Sequence, residues 1–263
     1  AAGDYSTRVP VVSTDELGQL AGDFNTLALT LAQNEQARRQ WVADISHELR
    51  TPLAILRGEI EALQDGIRKP SPDSIRSLHG EVLRLGRLVD DLYQLSLSDL
   101  GALQYRRERL DLAVLVGDVV SAHRAEFTAN NIGLSASLPA DGTAQLLGDP
   151  ERLHQLFANL LANSLKYTAA GGELRIAMTC DGCTVSIDFQ DSAPGVTDTD
   201  LERLFERLYR VEASRNRATG GAGLGLAICR NIVEAHQGTI SARPSPLGGL
   251  WVRVELPRAG GSR

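Results

Sequence analysis

WVADISHELRTPLAIL, residues 41–56, decides how the first hundred residues fold. Trp41, Ile45, Leu49, Leu53 and Leu56 recur every three or four positions, and Ile60 and Leu63 prolong the stripe. That spacing is one apolar face of a helix. Upstream, Leu17, Leu20, Phe24, Leu27 and Leu31 keep the same spacing. Downstream, Lys69-Pro70-Ser71-Pro72-Asp73 interrupts it with a loop that carries a helix-start signal. Ile75, Leu78, Val82, Leu85, Val89 and Leu92 then follow at spacings of 3, 4, 3, 4 and 3, a heptad seam. Two long helices joined by a short loop predict an antiparallel hairpin. A hairpin alone has a thin core, so this one is expected to bury its stripe as half of a dimeric four-helix bundle.

Within the quoted stretch His47 stands two residues from Ile45 and two from Leu49, which turns it about 200° away from the apolar face at about 100° per residue. It is therefore expected to face solvent. Thr51, four residues on, shares its side of the helix. Pro52 lacks an N–H, so the Glu48 carbonyl loses its partner and the helix is expected to bend beside the histidine. An exposed histidine alone carries no message. A helix-breaking proline five residues later, at a cost of about 3 kcal/mol, asks for a reason. A neutral imidazole with an adjoining carboxylate to fix its tautomer is a competent nucleophile near neutral pH.

The whole chain has 263 residues, 43% hydrophobic and 23% charged, which suits two ordinary folded domains. Its net charge of −6 supplies no positive field for nucleic acid, so no nucleic-acid partner is expected. Three cysteines cannot make a disulfide framework. Cys180 and Cys183 flank an Asp181-Gly182 turn without a second ligand pair, which argues against zinc. No apolar run approaches the roughly 18 residues that span a bilayer. Met178 is the one methionine, so Ala1 is expected to be a cut edge of a longer protein.

Polar Arg106-Arg107-Glu108-Arg109 ends the helical period and is taken as the domain boundary. Beyond it the pattern predicts helices over 113–130, 150–167, 199–209 and 224–236, and strands over 132–138, 173–180, 183–190, 239–243 and 251–257. Asp149 is the expected N-cap of the second helix, with Pro150 in its first turn. Asp181-Gly182 marks a hairpin. The connections are mixed and describe an α/β sandwich, not a regular βαβ series.

SHELRTPL, residues 46–53, resembles the phospho-acceptor box of bacterial sensor histidine kinases. The resemblance implies that His47 accepts the γ-phosphoryl group of ATP, that Glu48 is its acid/base partner, and that Thr51 positions water for hydrolysis of a phosphorylated response regulator. NLLANSLKYT, residues 159–168, places Asn159, Asn163, Lys166 and Tyr167 at i, i+4, i+7 and i+8 on one helix face. That stripe is poor core and suits a wall for Mg²⁺ and phosphates, since Mg²⁺ prefers oxygen ligands; a merely solvated face is the bland alternative. It is similar to the family's N-box, which implies Asn163 as the Mg²⁺ ligand, Lys166 near phosphate and Tyr167 near the nucleotide.

DSAPGV, residues 191–196, resembles the box whose aspartate accepts the adenine amino group. A carboxylate only accepts, so Asp191 would select an exocyclic donor. Ala193 stands where the family often has glycine, a departure that bears on close backbone approach. Phe205-Glu206-Arg207-Leu208-Tyr209-Arg210 resembles the F-box, with Leu208 in place of a second phenylalanine, and implies that Arg210 reaches the terminal phosphate. Residues 214–219 are nearly devoid of apolar side chains and are expected to form a lid. Gly220-Gly221-Ala222-Gly223-Leu224-Gly225-Leu226 then opens a helix, where glycines let backbone N–H groups approach phosphate. It is not preceded by a strand, and no P-loop occurs. Gly221, Gly223, Gly225 and Leu226, with Gly195, complete the nucleotide contacts that the resemblance implies.

Taken together the resemblance implies an α+β multidomain protein. Residues 35–105 would be a helical hairpin dimerising into a four-helix bundle, and residues 106–263 an ATP-binding α/β sandwich of the histidine kinase/GHKL type. Arg8-Val9-Pro10 and Asp15-Glu16-Leu17-Gly18 resemble the second half of a HAMP linker, so residues 1–34 would be its connector and second helix. The expected partners are a second copy of the chain and a cognate response regulator. The membrane would enter only through a missing N-terminal part, which makes this the cytoplasmic portion of an inner-membrane protein. Two rivals stand beside this reading. An ATP-driven clamp would release phosphate regardless of His47, and a dimeric scaffold with a degenerate site would bind no Mg·ATP.

Overall fold

A computed structural model describes residues 5, 7–11, 15–99, 103–211 and 222–259. Two compact units are formed, residues 1–86 and 87–263.

In the first unit, α1 (Glu16–Gln64) is one uninterrupted helix of 49 residues that carries Pro52 inside it. Asp15 caps it, its carboxylate accepting from the backbone of Leu17 and Gly18, which satisfies two of the helix's unpaired N–H groups. The connector ahead of it is held by Asn25, whose amide accepts from the Val9 N–H and donates to the Val9 carbonyl, both at 2.8 Å. The turn after α1 uses Gly66 at φ +70°, a left-handed position that glycine adopts without strain. The next helix, α2 (Pro72–Asp99), starts on a reciprocal pair: Ser74 N–H donates to Ser71 Oγ and Ser71 N–H to Ser74 Oγ. This is a capping box made from two serines. The predicted hairpin is thus present. Along it Leu56 is buried, while Leu53, Ile60, Ile75 and Val82 remain 45–60% exposed.

In the second unit a five-stranded sheet has the order β2-β4-β5-β7-β6. It is built from β2 (Gly133–Ser137), β4 (Glu173–Asp181), β5 (Thr184–Ser192), β6 (Thr239–Pro244) and β7 (Gly248–Pro257). Only β2 and β4 pair in parallel; the rest are antiparallel. Three helices pack with it: α3 (Leu112–Ala129), α4 (Pro150–Tyr167) and α6 (Gly225–Ala235). Alternation along β4 and β5 turns Leu174, Ile176 and Met178, and Val185, Ile187 and Phe189, inward. Helix residues Val116, Leu153, Leu156, Phe157, Ile228 and Val233 close the core, with Phe157 stacked on Phe189 at 6.1 Å between centroids. Burial of each such large side chain is worth about 1.5–3 kcal/mol. The expected mixed sandwich and the Asp181-Gly182 hairpin are both seen, and Asp149 caps α4 by accepting from the Arg152 N–H.

The structure adds one strand pair to the expected elements and corrects one helix. Polar residues 106–109 run into β1 (Glu108–Asp111), which pairs antiparallel with β3 (Gln145–Gly148), strands that no sequence pattern announced. The helix expected over 199–209 stops early, as α5 (Asp198–Leu201). The chain then proceeds through tight turns, Arg203 N–H to the Asp200 carbonyl, Glu206 to Arg203 and Tyr209 to Glu206. Leu208 takes φ +60° so that its N–H reaches the Gly223 carbonyl at 3.0 Å. A long-range backbone bond thereby overrides local helical spacing.

Candidate functional site

His47 lies on α1, exposed, between half-buried Ile45 and Leu49, as the stripe predicts. Glu48 beside it is half-buried and Thr51 is exposed. The Thr51 hydroxyl donates to the His47 carbonyl at 3.4 Å, fixing Thr51 on the histidine's side of the helix. Pro52 is buried and α1 passes through it unbroken.

In the second unit one cavity of about 330 Å³ gathers residues from six separate stretches of chain. That is the lower end of the range for small-molecule sites. Helix α4 supplies Asn159, Asn163, Lys166 and Tyr167, the four polar residues of its predicted stripe. The end of β5 and the loop after it supply Asp191 and Gly195; Arg210 follows; Gly223, Gly225 and Leu226 line it from the start of α6. Gly221 and the lid expected over 214–219 lie outside the described residues.

The local physics of each wall follows from its residues. Asp191 is buried, with its two carboxylate oxygens accepting from the Leu250 N–H at 2.6 Å and the Ser164 hydroxyl at 3.1 Å. Burial pushes its carboxyl up to about 6, against the pull of those two bonds. Gly249 makes this close approach possible, since a Cβ there would sit 2.3 Å from Asp191 Oδ1. Gly223 stands at φ +72°, and a Cβ there would meet the Leu208 carbonyl carbon at 2.8 Å. Gly225, by contrast, has open space where a Cβ would be, on the cavity side of the α6 N-terminus. No side chain caps that helix, so its first N–H groups are turned to an opening suited to anions. Lys166 and Arg210 add positive charge to the lining, with the Lys166 ammonium 4.7 Å from the Tyr167 ring.

The chemistry of the donors suits a magnesium nucleotide. Among the described residues no group of three His, Cys, Asp or Glu side chains forms a metal cage. The oxygen donors along α4 are the amides of Asn159 and Asn163. A hard ion that keeps waters and binds mainly through phosphates needs no more than that. Cys180 is half-buried and Cys183 exposed, and neither is in a disulfide.

Several lining residues had no signal in the sequence. Leu204 and Leu250 supply apolar surface from positions that look like ordinary core or turn, and Tyr209 lines the cavity from inside the F-box, where no role was expected of it. Asp91, on α2, reaches the same cavity, and burial with Asp90 beside it pushes its carboxyl up to about 6. Nothing in a heptad helix announces that one of its polar positions will line a distant pocket.

Comparisons with known proteins fall on the same segments. Residues 148–260 match the family described as histidine kinase-, DNA gyrase B- and HSP90-like ATPase. Residues 37–101 match the His Kinase A (phospho-acceptor) domain, and residues 1–33 the HAMP domain. The signal transduction histidine-protein kinase BaeS of Escherichia coli (strain K12) is 57% identical over 257 residues, covering 98% of this chain and 55% of that protein. The sensor protein SphS of Synechococcus elongatus is 39% identical, covering 94% of this chain and 60% of that protein. The chain thus spans little more than half the length of these relatives. Among solved structures, the Acinetobacter baumannii histidine kinase AdeS aligns with a TM-score of 0.67 at 26% identity, over 81% of this chain and 98% of that one.

Proposed function

The chain belongs to the sensor histidine kinases of two-component systems, and from that membership we propose that it moves the γ-phosphoryl group of ATP to His47 and then to an aspartate of a response regulator. The observation that carries the proposal is the single cavity lined by Asn159, Asn163, Lys166, Tyr167, Asp191, Gly195, Arg210, Gly223, Gly225 and Leu226. Residues implied by four separate motifs meet there.

The roles follow from side-chain chemistry. Asp191 accepts the adenine amino group, a choice that guanine with its carbonyl would not satisfy. Asn159 and Asn163 offer amide oxygens to magnesium, with Asn163 the principal ligand. When bound, that ion neutralises phosphate charge and orients the chain of phosphates. Lys166, Arg210 and the open α6 N-terminus hold the phosphate oxygens, with Arg210 at the terminal group. The His47 imidazole attacks the γ-phosphorus, the bond to the bridging oxygen breaks, and ADP leaves. Glu48 holds the proton on the other ring nitrogen and so keeps the attacking nitrogen unprotonated. Thr51 positions water when the phosphorylated regulator is hydrolysed.

We further assign residues 1–34 to a partial HAMP linker, 35–105 to the dimerising phosphotransfer hairpin and 106–263 to the catalytic ATP-binding domain. A second copy of the chain covers the exposed Leu53, Ile60, Ile75 and Val82 in a four-helix bundle. The HAMP match supports the reading of a parent protein in the inner membrane with these residues on the cytoplasmic side. Among the described residues no helix is long and apolar enough to cross a membrane. Incubation with γ-labelled ATP tests the central claim: wild type should retain label on protein, and His47→Gln should retain none. Equal labelling of the two would sink it.

A further inference from the structure

Asp91 is the residue that α2 contributes to the nucleotide cavity. It is held there because the last turns of α2 are fastened to the ATP-binding fold. Leu95 is 1% exposed. Gln94 and Gln155 exchange amide hydrogen bonds at 2.9 and 2.8 Å. The Asn231 amide donates to the Ser98 hydroxyl at 3.1 Å, and Arg207 makes a two-pronged ion pair with Asp99. A carboxylate on a segment seated by four contacts has a fixed place, and its field acts on whatever enters the cavity.

That place is on the Asn159 side. Asp91 lies one turn before Gln94 on α2 and Asn159 one turn after Gln155 on α4, and both line the cavity, so the Gln94–Gln155 pair sets the carboxylate and the amide in one neighbourhood. Asp90 reinforces the negative potential there and Arg87 offsets part of it. The α4 stripe makes this the end of the cavity that takes phosphates and their metal. A free nucleotide brings its full phosphate charge towards Asp91. The magnesium chelate brings much less, and sets a cation between the two anions. At partly buried sites such differences in Coulomb energy are large enough to sort ligands.

We propose that Asp91 is a specificity-determining residue that makes the cavity favour metal-chelated nucleotide over metal-free nucleotide. The proposal rests on the reading that the cavity takes Mg·ATP. It gives the docked end of α2 a part in choosing the ligand, distinct from the phosphate-holding part of Lys166 and Arg210.

The test is calorimetric titration of the full chain with ATP at pH 8, once in excess Mg²⁺ and once in excess EDTA. Asp91→Asn should tighten metal-free ATP by about tenfold. Asp91→Glu keeps the charge and should retain the weak metal-free binding of wild type. Circular dichroism checks that Asp91→Asn is folded, with Asp91→Ser as the substitute if it is not. An unchanged metal-free Kd on loss of the charge overturns the proposal, whatever happens to Mg·ATP. That includes a loss confined to Mg·ATP, which would make Asp91 a metal ligand instead. A wild type that binds no Mg·ATP overturns the nucleotide reading itself, and this inference with it.

Discussion

Asp191→Asn is expected to make the protein more stable and a worse binder of ATP. The carboxylate is 6% exposed and its carboxyl titrates near 6 where an unburied aspartate titrates at 3.8. A difference of that size disfavours the charged form in the fold by about 3 kcal/mol. Between those two pH values the folded state holds a proton that the unfolded chain releases. The stability it contributes is therefore full below 3.8 and is lost as pH rises through about 6. Asparagine has nearly the same shape and can accept from the Leu250 N–H while turning its amide towards the Ser164 hydroxyl. It never ionises, so at pH 8 the variant should gain up to about 3 kcal/mol over wild type, and near pH 4 the gain should vanish. On the proposed role of Asp191, adenine recognition loses an acceptor, so Mg·ATP affinity should fall by about tenfold or more. Urea unfolding followed by Trp251 fluorescence in a Trp41→Phe background at the two pH values, with nucleotide titration at pH 8, reads both quantities. A variant less stable than wild type at pH 8, or equally displaced at both pH values, would refute the reasoning.

Two further outcomes follow from neighbouring geometry. His236 is buried, its Nδ1 donating to the Ile232 carbonyl at 2.7 Å and its Nε2 accepting from the Asp149 N–H at 2.9 Å, so the fold requires the neutral ring. Burial lowers its titration below 6.5, and the stability it confers, present above 6.5, is lost as pH falls below that value; His236→Gln should flatten this part of the acid limb of a stability–pH curve, and an unaltered limb would count against it. Gly249→Ala should cost about 2–4 kcal/mol, because its methyl group would overlap Asp191 Oδ1 and the Ser192 carbonyl oxygen. Thermal unfolding within about 1 °C of wild type would show that the strand shifts without strain.

What the sequence made legible was whatever repeats locally. The α4 face is an example: Asn159, Asn163, Lys166 and Tyr167 share a helical spacing, and helical spacing alone put them along one wall. The hairpin turn at Asp181-Gly182 and the Asp149 cap are likewise decided within a few residues. What stayed hidden depends on partners far along the chain. Strands β1 and β3 are four residues each and exist because they pair with one another, which no period within either reveals. Leu208 leaves the helical region to bond Gly223, so the helical pattern of 199–209 misled. Asp91 belongs by spacing to the polar side of a heptad helix and by position to the nucleotide cavity. Its second role is set by the contacts of Gln94, Leu95, Ser98 and Asp99, each made to a residue at least 60 positions away or buried by the fold.

The unbroken course of α1 has a mechanical consequence. From Glu16 to His47 there is one helix and no joint, a rod of about 46 Å at about 1.5 Å per residue. A piston-like push or a twist at the Asp15 end is carried to the histidine undiminished by any hinge. The angular phase between the connector, clasped by Asn25, and the imidazole is set purely by residue count. Insertion of one residue anywhere between them would swing His47 by about 100° around the rod axis, and seven would bring it back to nearly the same bearing about 10 Å further on.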